Sequence, residues 1–144
     1  LAIKEKALGP DHADLAVTVY SIGDVLRAQR RFTDARQQYE RAMKIDLAAH
    51  GESLELAFDL TAVGAVLIEL GQPAAAIAPL SRARKLRARP GANPNDVAET
   101  DFALARAFGR NRPEALELAR AARTSYQAAG KAAEVAAIEA WLGG

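Results

Sequence analysis

The sequence predicts an all-α protein built as a stack of antiparallel helix hairpins. Three observations lead there: small residues recur at a fixed interval, apolar positions follow a helical period, and turn residues punctuate the chain at matching places. Gly23, Gly64 and Ala105 fall 41 residues apart, and each is followed three positions later by a large apolar residue, Leu26, Leu67 and Phe108. Equal spacing with matching neighbours is the mark of a repeated supersecondary unit. A second set, Ala35-Tyr39-Ala42, returns as Ala76-Leu80-Ala83 and less regularly as Ala115-Ala119-Ala122. Small, large, small at helical spacing specifies helices that approach closely, with Tyr39 and Leu80 expected to fill the space between successive hairpins.

Composition agrees with this reading. Hydrophobic residues make up 50% of the chain but aromatic residues only 6%, and much of the apolar share is alanine, which favours packed helices over strands. The absence of cysteine excludes a disulfide framework and a thiolate metal site, and it points to the cytoplasm. A net charge of +1 implies no bulk attraction to nucleic acid or to an anionic membrane surface. No apolar run approaches the roughly 20 residues that span a bilayer, so no membrane partner is expected.

Taken in order, Leu1, Ala2, Lys4, Lys6 and Leu8 read as the end of a helix over residues 1–8 whose beginning is missing. The chain is therefore expected to be a fragment of a longer one, with Ile3, Ala7 and Leu8 exposed and available for end-to-end self-association. Hairpins follow over 13–29 with 33–49, 53–70 with 74–88, and 94–109 with 113–128. These give repeats over 13–49, 53–88 and 94–128. Asp11, Ser53, and Asn93 or Asp96 are N-cap candidates, Thr33 caps the second helix of its hairpin, and Pro73 and Pro113 suit a first helical position. The loop from Ala88 to Asn95, with Pro90, Gly91 and Pro94, is the expected weak point. A last helix over 132–142 places Val135, Ile138 and Leu142 on one face with Trp141 beside them. It reads as a capping helix that seals the terminal repeat. Trp141 has a second reading, as an anchor for a partner.

The repeated small and large positions resemble those of tetratricopeptide repeats. The segment Leu8-Gly9-Pro10-Asp11-His12 ahead of Leu15-Ala16 is similar to the linker of the longer, roughly 42-residue variety found in kinesin light chains and many bacterial proteins. The resemblance implies a right-handed superhelix, a TPR-like α-solenoid, whose first helices line a concave face that binds a protein or peptide. The side chains it leaves free there are Val17, Tyr20, Ser21, Asp24 and Arg27 in the first repeat. Phe58, Thr61, Ala65 and Ile68 follow in the second, and Glu99, Phe102, Arg106 and Arg110 in the third. Tyr20, Phe58 and Phe102 would supply desolvated contact area, although Phe58 reads equally as inter-repeat core. Relatives often carry a pair of asparagines where this chain has Tyr20-Ser21, Thr61-Ala62 and Phe102-Ala103. The Ala- and Arg-rich repeats, the Gly9-Pro10-Asp11-His12 linker, and Arg120-Ala121-Ala122-Arg123 also resemble the C-terminal repeat region of bacterial serine/threonine protein kinases. That likeness implies a regulatory or substrate-recruiting segment whose catalytic domain is absent from this chain. A repeat domain of a transcription regulator or a signalling ATPase is a third possibility.

No catalytic role, cofactor or metal is expected of the chain itself. His12 and His50 stand at hairpin entrances without converging ligands, and there is no phosphate-binding Gly-Lys-Ser/Thr loop, nucleophile elbow or kinase motif. The basic run Arg82, Arg84, Lys85, Arg87 and Arg89 has two readings. It is a patch for phosphates or an acidic peptide, or it is a solvated outer face whose charge suits the end of a helix. No aromatic residue interleaves with it, which speaks against nucleic acid.

Overall fold

The computed structural model describes residues 13–143, and among them it contains seven helices and no strand. The helix expected over 1–8, the cap at Asp11, His12, and the apolar surface of Ile3, Ala7 and Leu8 lie outside the described residues. The first hairpin pairs α1 (Ala13–Ala28) with α2 (Phe32–His50), the second α3 (Leu54–Glu69) with α4 (Pro73–Arg87), and the third α5 (Pro94–Phe108) with α6 (Pro113–Ala128). A single helix, α7 (Ala132–Gly143), follows. Each helix packs on the next in order, and α3 also touches α5, which makes the architecture an α-solenoid of helix hairpins.

Local chemistry sets the boundaries. The Ser53 hydroxyl accepts the Leu56 N–H at 3.2 Å and Asn93 Oδ1 accepts the Asn95 N–H at 2.8 Å, each satisfying a donor that a helix start leaves orphaned. Pro73, Pro94 and Pro113 open their helices, where a missing N–H costs nothing. Thr33 is not a cap. α2 begins at Phe32 after Arg31, whose side chain makes no capping bond and instead pairs with Asp34 at 2.7 Å across the first turn.

The small and large residues meet inside each hairpin. A Cβ on Gly23 would lie 2.7 Å from Tyr39 Cε1, and one on Gly64 would fall on the branch carbon of Leu80. Tyr39 and Leu80 thus fill the crevice of their own hairpins first. From there they join Val63, Val66 and Leu104 in one core that reaches Ile138. The third hairpin solves the same problem differently, with Ala105 facing a stripe that carries Ala119, both fully buried. Its stripe is two residues out of step because α5 stops at Phe108, three residues past Ala105, whereas α1 and α3 run five past their glycines. Gly109, at φ 93°, takes the left-handed conformation that ends α5 there.

α7 lays Ile138, fully buried, against the end of the stack, with Val135, Trp141 and Leu142 packed around it. The Trp141 ring meets Phe102 edge-on, centroids 5.9 Å apart.

The basic run is largely the solvated end of α4, with Arg84, Lys85 and Arg89 exposed, but Arg87 is not part of that face. Arg87 is 2% exposed and donates to Asp96 C=O at 2.8 Å, Thr100 Oγ1 at 2.6 Å and Thr61 Oγ1 at 3.3 Å. Its guanidinium also stands over the Phe58 ring, 4.6 Å from the centroid. Arg82 pairs with Glu52, Arg84 with Asp101 at 3.0 Å, and Arg89 donates to the Glu52 carbonyl at 2.5 Å. These contacts bind α4 to its neighbours on both sides, and of the four arginines only Arg89 lies in the Ala88–Asn95 connection.

Candidate acidic and basic cavities along the first helices

Two cavities lie along α1, α3 and α5, and Tyr20 lines both. The first, of about 250 Å³, opens between α1, α2 and α3, with Val17, Tyr20, Ser21 and Phe58 around Asp46 and Asp59. The second, of about 160 Å³, draws on α1, α3, α5 and α6 and is lined by Tyr20, Arg27, Glu99, Phe102, Arg106 and Tyr126, with Thr61 and Ala65 at its base.

Not every expected binding residue is free. Thr61 and Ala65 are 3% and 6% exposed, and the Thr61 hydroxyl is spent on Ala57 C=O and Thr100, each at 2.8 Å. They belong to the wall, because the close contact of α3 with α5 leaves room there only for small side chains. Asp24, Ile68 and Arg110 line neither cavity. Asp24 accepts the Tyr39 hydroxyl at 2.6 Å, Ile68 packs on the core, and Arg110 donates to the Trp141 carbonyl at 3.4 Å. Val17 and Phe58 are exposed, at 68% and 42%.

The two cavities differ in charge. In the first, Asp59 is 1% exposed, its carboxyl is hydrogen-bonded to that of Asp46, and its Oδ2 has no partner. Burial, then the bond to Asp46 and its charge, push Asp59 up to about 9, so it holds a proton at neutral pH. Burial, with the charges of Asp24, Glu99 and Asp59 added, also keeps the Tyr20 phenol protonated well above its usual range. In the second cavity Arg27 pairs with Glu69 at 2.7 Å. Arg106 lies over Phe102, 5.1 Å from the centroid, with a buried Nε that finds no acceptor. Burial and the neighbouring Arg27 charge pull Arg106 below its ordinary value. Burial first, then Glu99 and other acids, raise the Tyr126 hydroxyl to about 12.

Sequence reasoning missed Asp46, Asp59, Arg87 and Tyr126, yet a signal was present. Extending the stripe Ala35-Tyr39-Ala42 by four residues gives Asp46, extending Ala76-Leu80-Ala83 gives Arg87, and extending Ala115-Ala119-Ala122 gives Tyr126. All three are buried, so one position of the second helices carries a polar group into the interior in every hairpin. Each of the first two reaches the residue thirteen positions on, in the next first helix: Asp46 bonds Asp59, and Arg87 bonds Thr100.

Among the described residues no group of three or more acidic or histidine side chains is arranged to hold a metal ion, and no helix is long and apolar enough to cross a membrane. His50 lies on the rim of the first cavity. A wider cavity of about 730 Å³ opens between α4, α5 and α6, where Arg84 and Lys85 face Glu114 and Glu117 across Leu104 and Phe108. It contains none of the expected binding residues.

These features define a helical-repeat solenoid with side chains left over along its first helices. The family model described as tetratricopeptide repeat matches residues 1–48 and 17–89, which together span more than half of the chain. The protein belongs to the tetratricopeptide repeat family, whose repeats generally mediate protein–protein interactions. No curated protein matches it.

Proposed function

We propose that the chain is an adaptor module that binds a peptide or protein segment along α1, α3 and α5. The observation that carries this reading is the second cavity. There Phe102 offers an apolar face, and Arg106 offers a buried Nε with no acceptor among the described residues. A buried cationic donor left without an acceptor costs stability, and a carboxylate or carbonyl from a partner would satisfy it. Tyr20 and Phe58 extend the contact area toward the first cavity.

The test is a calorimetric titration with a peptide selected from a random display library. Arg106→Ala should weaken binding by about tenfold or more, and Phe102→Ala by a similar factor, with helix content unchanged by circular dichroism. Equal affinity in both variants would remove this groove as the binding surface. Asp24 is a poor probe, because its carboxylate is committed to Tyr39.

The resemblance to the repeat region of bacterial serine/threonine protein kinases gives such a module a role in recruiting substrates or regulators. A kinase domain encoded upstream of Leu1 in the parent reading frame would support that placement. A parent frame without one would end it.

A further inference from the structure

We propose that the cavity between α1, α2 and α3 takes the basic side chain of the partner, a lysine or an arginine. Its aliphatic stem would lie against Val17, Tyr20 and Phe58, and its cationic head on Asp46 and Asp59. The proposal rests on the reading of these helices as a partner-binding surface and adds the chemistry of one ligand group.

The argument begins with Asp59. A carboxyl that is 1% exposed, with one oxygen unpartnered, is a liability in a helical core, where leucine of similar size would stabilise the packing. Among the described residues its side-chain partner is another acid, Asp46, itself 8% exposed. Two carboxyls hold one another only while a proton is shared between them, so the pair is incomplete as a permanent tie between α2 and α3. Both residues line a cavity whose walls are apolar, and a cation entering it would meet the free oxygen.

The surrounding charges favour a cation. From α1 the cavity is faced by Asp14 and Tyr20, from α2 by Asp46 and His50, and from α3 by Glu55 and Asp59. Among the described residues no lysine or arginine lines it. Arg87 of α4 approaches through the Phe58 ring, but its bonds run to Asp96 and Thr100, and Glu99 of α5 stands 3.5 Å from it. An anion would meet Asp14, Asp46, Glu55 and Asp59 here, and a purely apolar group would leave the acid pair unpaired beneath it. A bare metal ion lacks a cage, since the acids are not grouped for one. An aliphatic stem ending in a charge matches walls and floor together.

Occupancy has a protonic consequence. Asp59 carries its proton at neutral pH because burial and Asp46 disfavour a second negative charge. A cation against the pair reverses that balance. The Asp59 O–H proton then passes to solvent while the ammonium or guanidinium keeps its own. Binding should therefore release up to one proton and tighten as pH rises through neutrality.

The probes are Nα-acetyl-lysine methylamide, its arginine counterpart, and the uncharged norleucine analogue, titrated into the chain and followed by nuclear magnetic resonance. The expected result is saturable shifts at Tyr20, Phe58 and Asp59 with the basic probes, at least about tenfold weaker with norleucine and about tenfold weaker in Asp59→Asn. Calorimetry of the unaltered chain in phosphate and in Tris buffer should give different heats, marking proton release without recourse to a variant. Equal response to norleucine, no saturable response to the basic probes, or buffer-independent heats would overturn the proposal. Each of those outcomes leaves the second cavity untouched, since Arg106→Ala and Phe102→Ala report on it separately.

Discussion

Two equivalent seams of the molecule are built from opposite chemistry. Where the first hairpin meets the second, Asp46 reaches Asp59. Where the second meets the third, Arg87 reaches Thr100, Thr61 and Asp96 C=O. The backbone relationship is the same, thirteen residues from second helix to next first helix. At the later seam Arg87 Nη1 donates to two hydroxyls and a carbonyl, which ties the hairpins together although the buried Nη2 finds no partner among the described residues. At the earlier seam acid meets acid, one oxygen stays orphaned, and a cavity remains. The comparison teaches that the repeat fixes where a polar group enters the core, while its identity decides whether that place becomes a fastening or an opening.

The largest expected effect comes from breaking the closed seam. Arg87→Ala should destabilise the chain by about 3 kcal/mol in urea unfolding, because buried hydroxyls and a carbonyl lose their donor and a cavity forms. Arg87→Met, which keeps the volume, should recover a large part of the loss. A change below about 0.5 kcal/mol in the alanine variant would mean that the guanidinium network contributes little. Next comes the hairpin interior, the control against which a seam is measured. Gly64→Ala drives a Cβ into the branch point of Leu80 and should cost about 2 kcal/mol, and the same substitution should cost far less in a Leu80→Ala background, which is itself destabilised by the emptied crevice.

The open seam predicts a pH dependence of opposite sense to ordinary surface acids. Asp59 is raised from 3.8 to about 9, so the folded chain keeps a proton that the unfolded chain has shed across that window. Its contribution to stability is complete below the lower value and is lost as pH rises toward the upper one. Asp59→Asn should flatten that slope and gain on the order of 1 kcal/mol at pH 8, read from denaturant midpoints at several pH values. A wild-type curve that rises with pH there would contradict the shared proton. The smallest effect belongs to the rim: Arg82→Ala removes an exposed pair with Glu52 and should change stability by less than about 0.5 kcal/mol, vanishing in high salt.

Much of the fold was legible because its rule is simple. Glycine opposite a large residue, twice at the same interval, has few solutions other than close-packed hairpins, and Ser53 and Asn93 announce helix starts through ordinary capping chemistry. The site was harder. Patterns of hydrophobicity register which faces are apolar, and a buried charge reads as solvent-facing, which is how Arg87 was assigned to a basic surface. Asp46 and Asp59 escaped for the same reason, although Asp46 continues the stripe Ala35-Tyr39-Ala42. Thr61 and Ala65 were expected free because the first helices were treated as uniformly open, whereas the approach of α3 to α5 closes their surroundings. Thr33 shows the limit of capping rules: Arg31 takes the position through its backbone alone.

Tyr20 belongs to both cavities and is backed by Tyr39, their ring centroids 5.2 Å apart. On the proposed reading, a single ligand long enough to pass that ring would engage two chambers through one linker, and the second contact would form at a high effective concentration. Two individually weak anchors would then act as one avid attachment. Selectivity would follow the distance between charges along the ligand as much as the charges themselves.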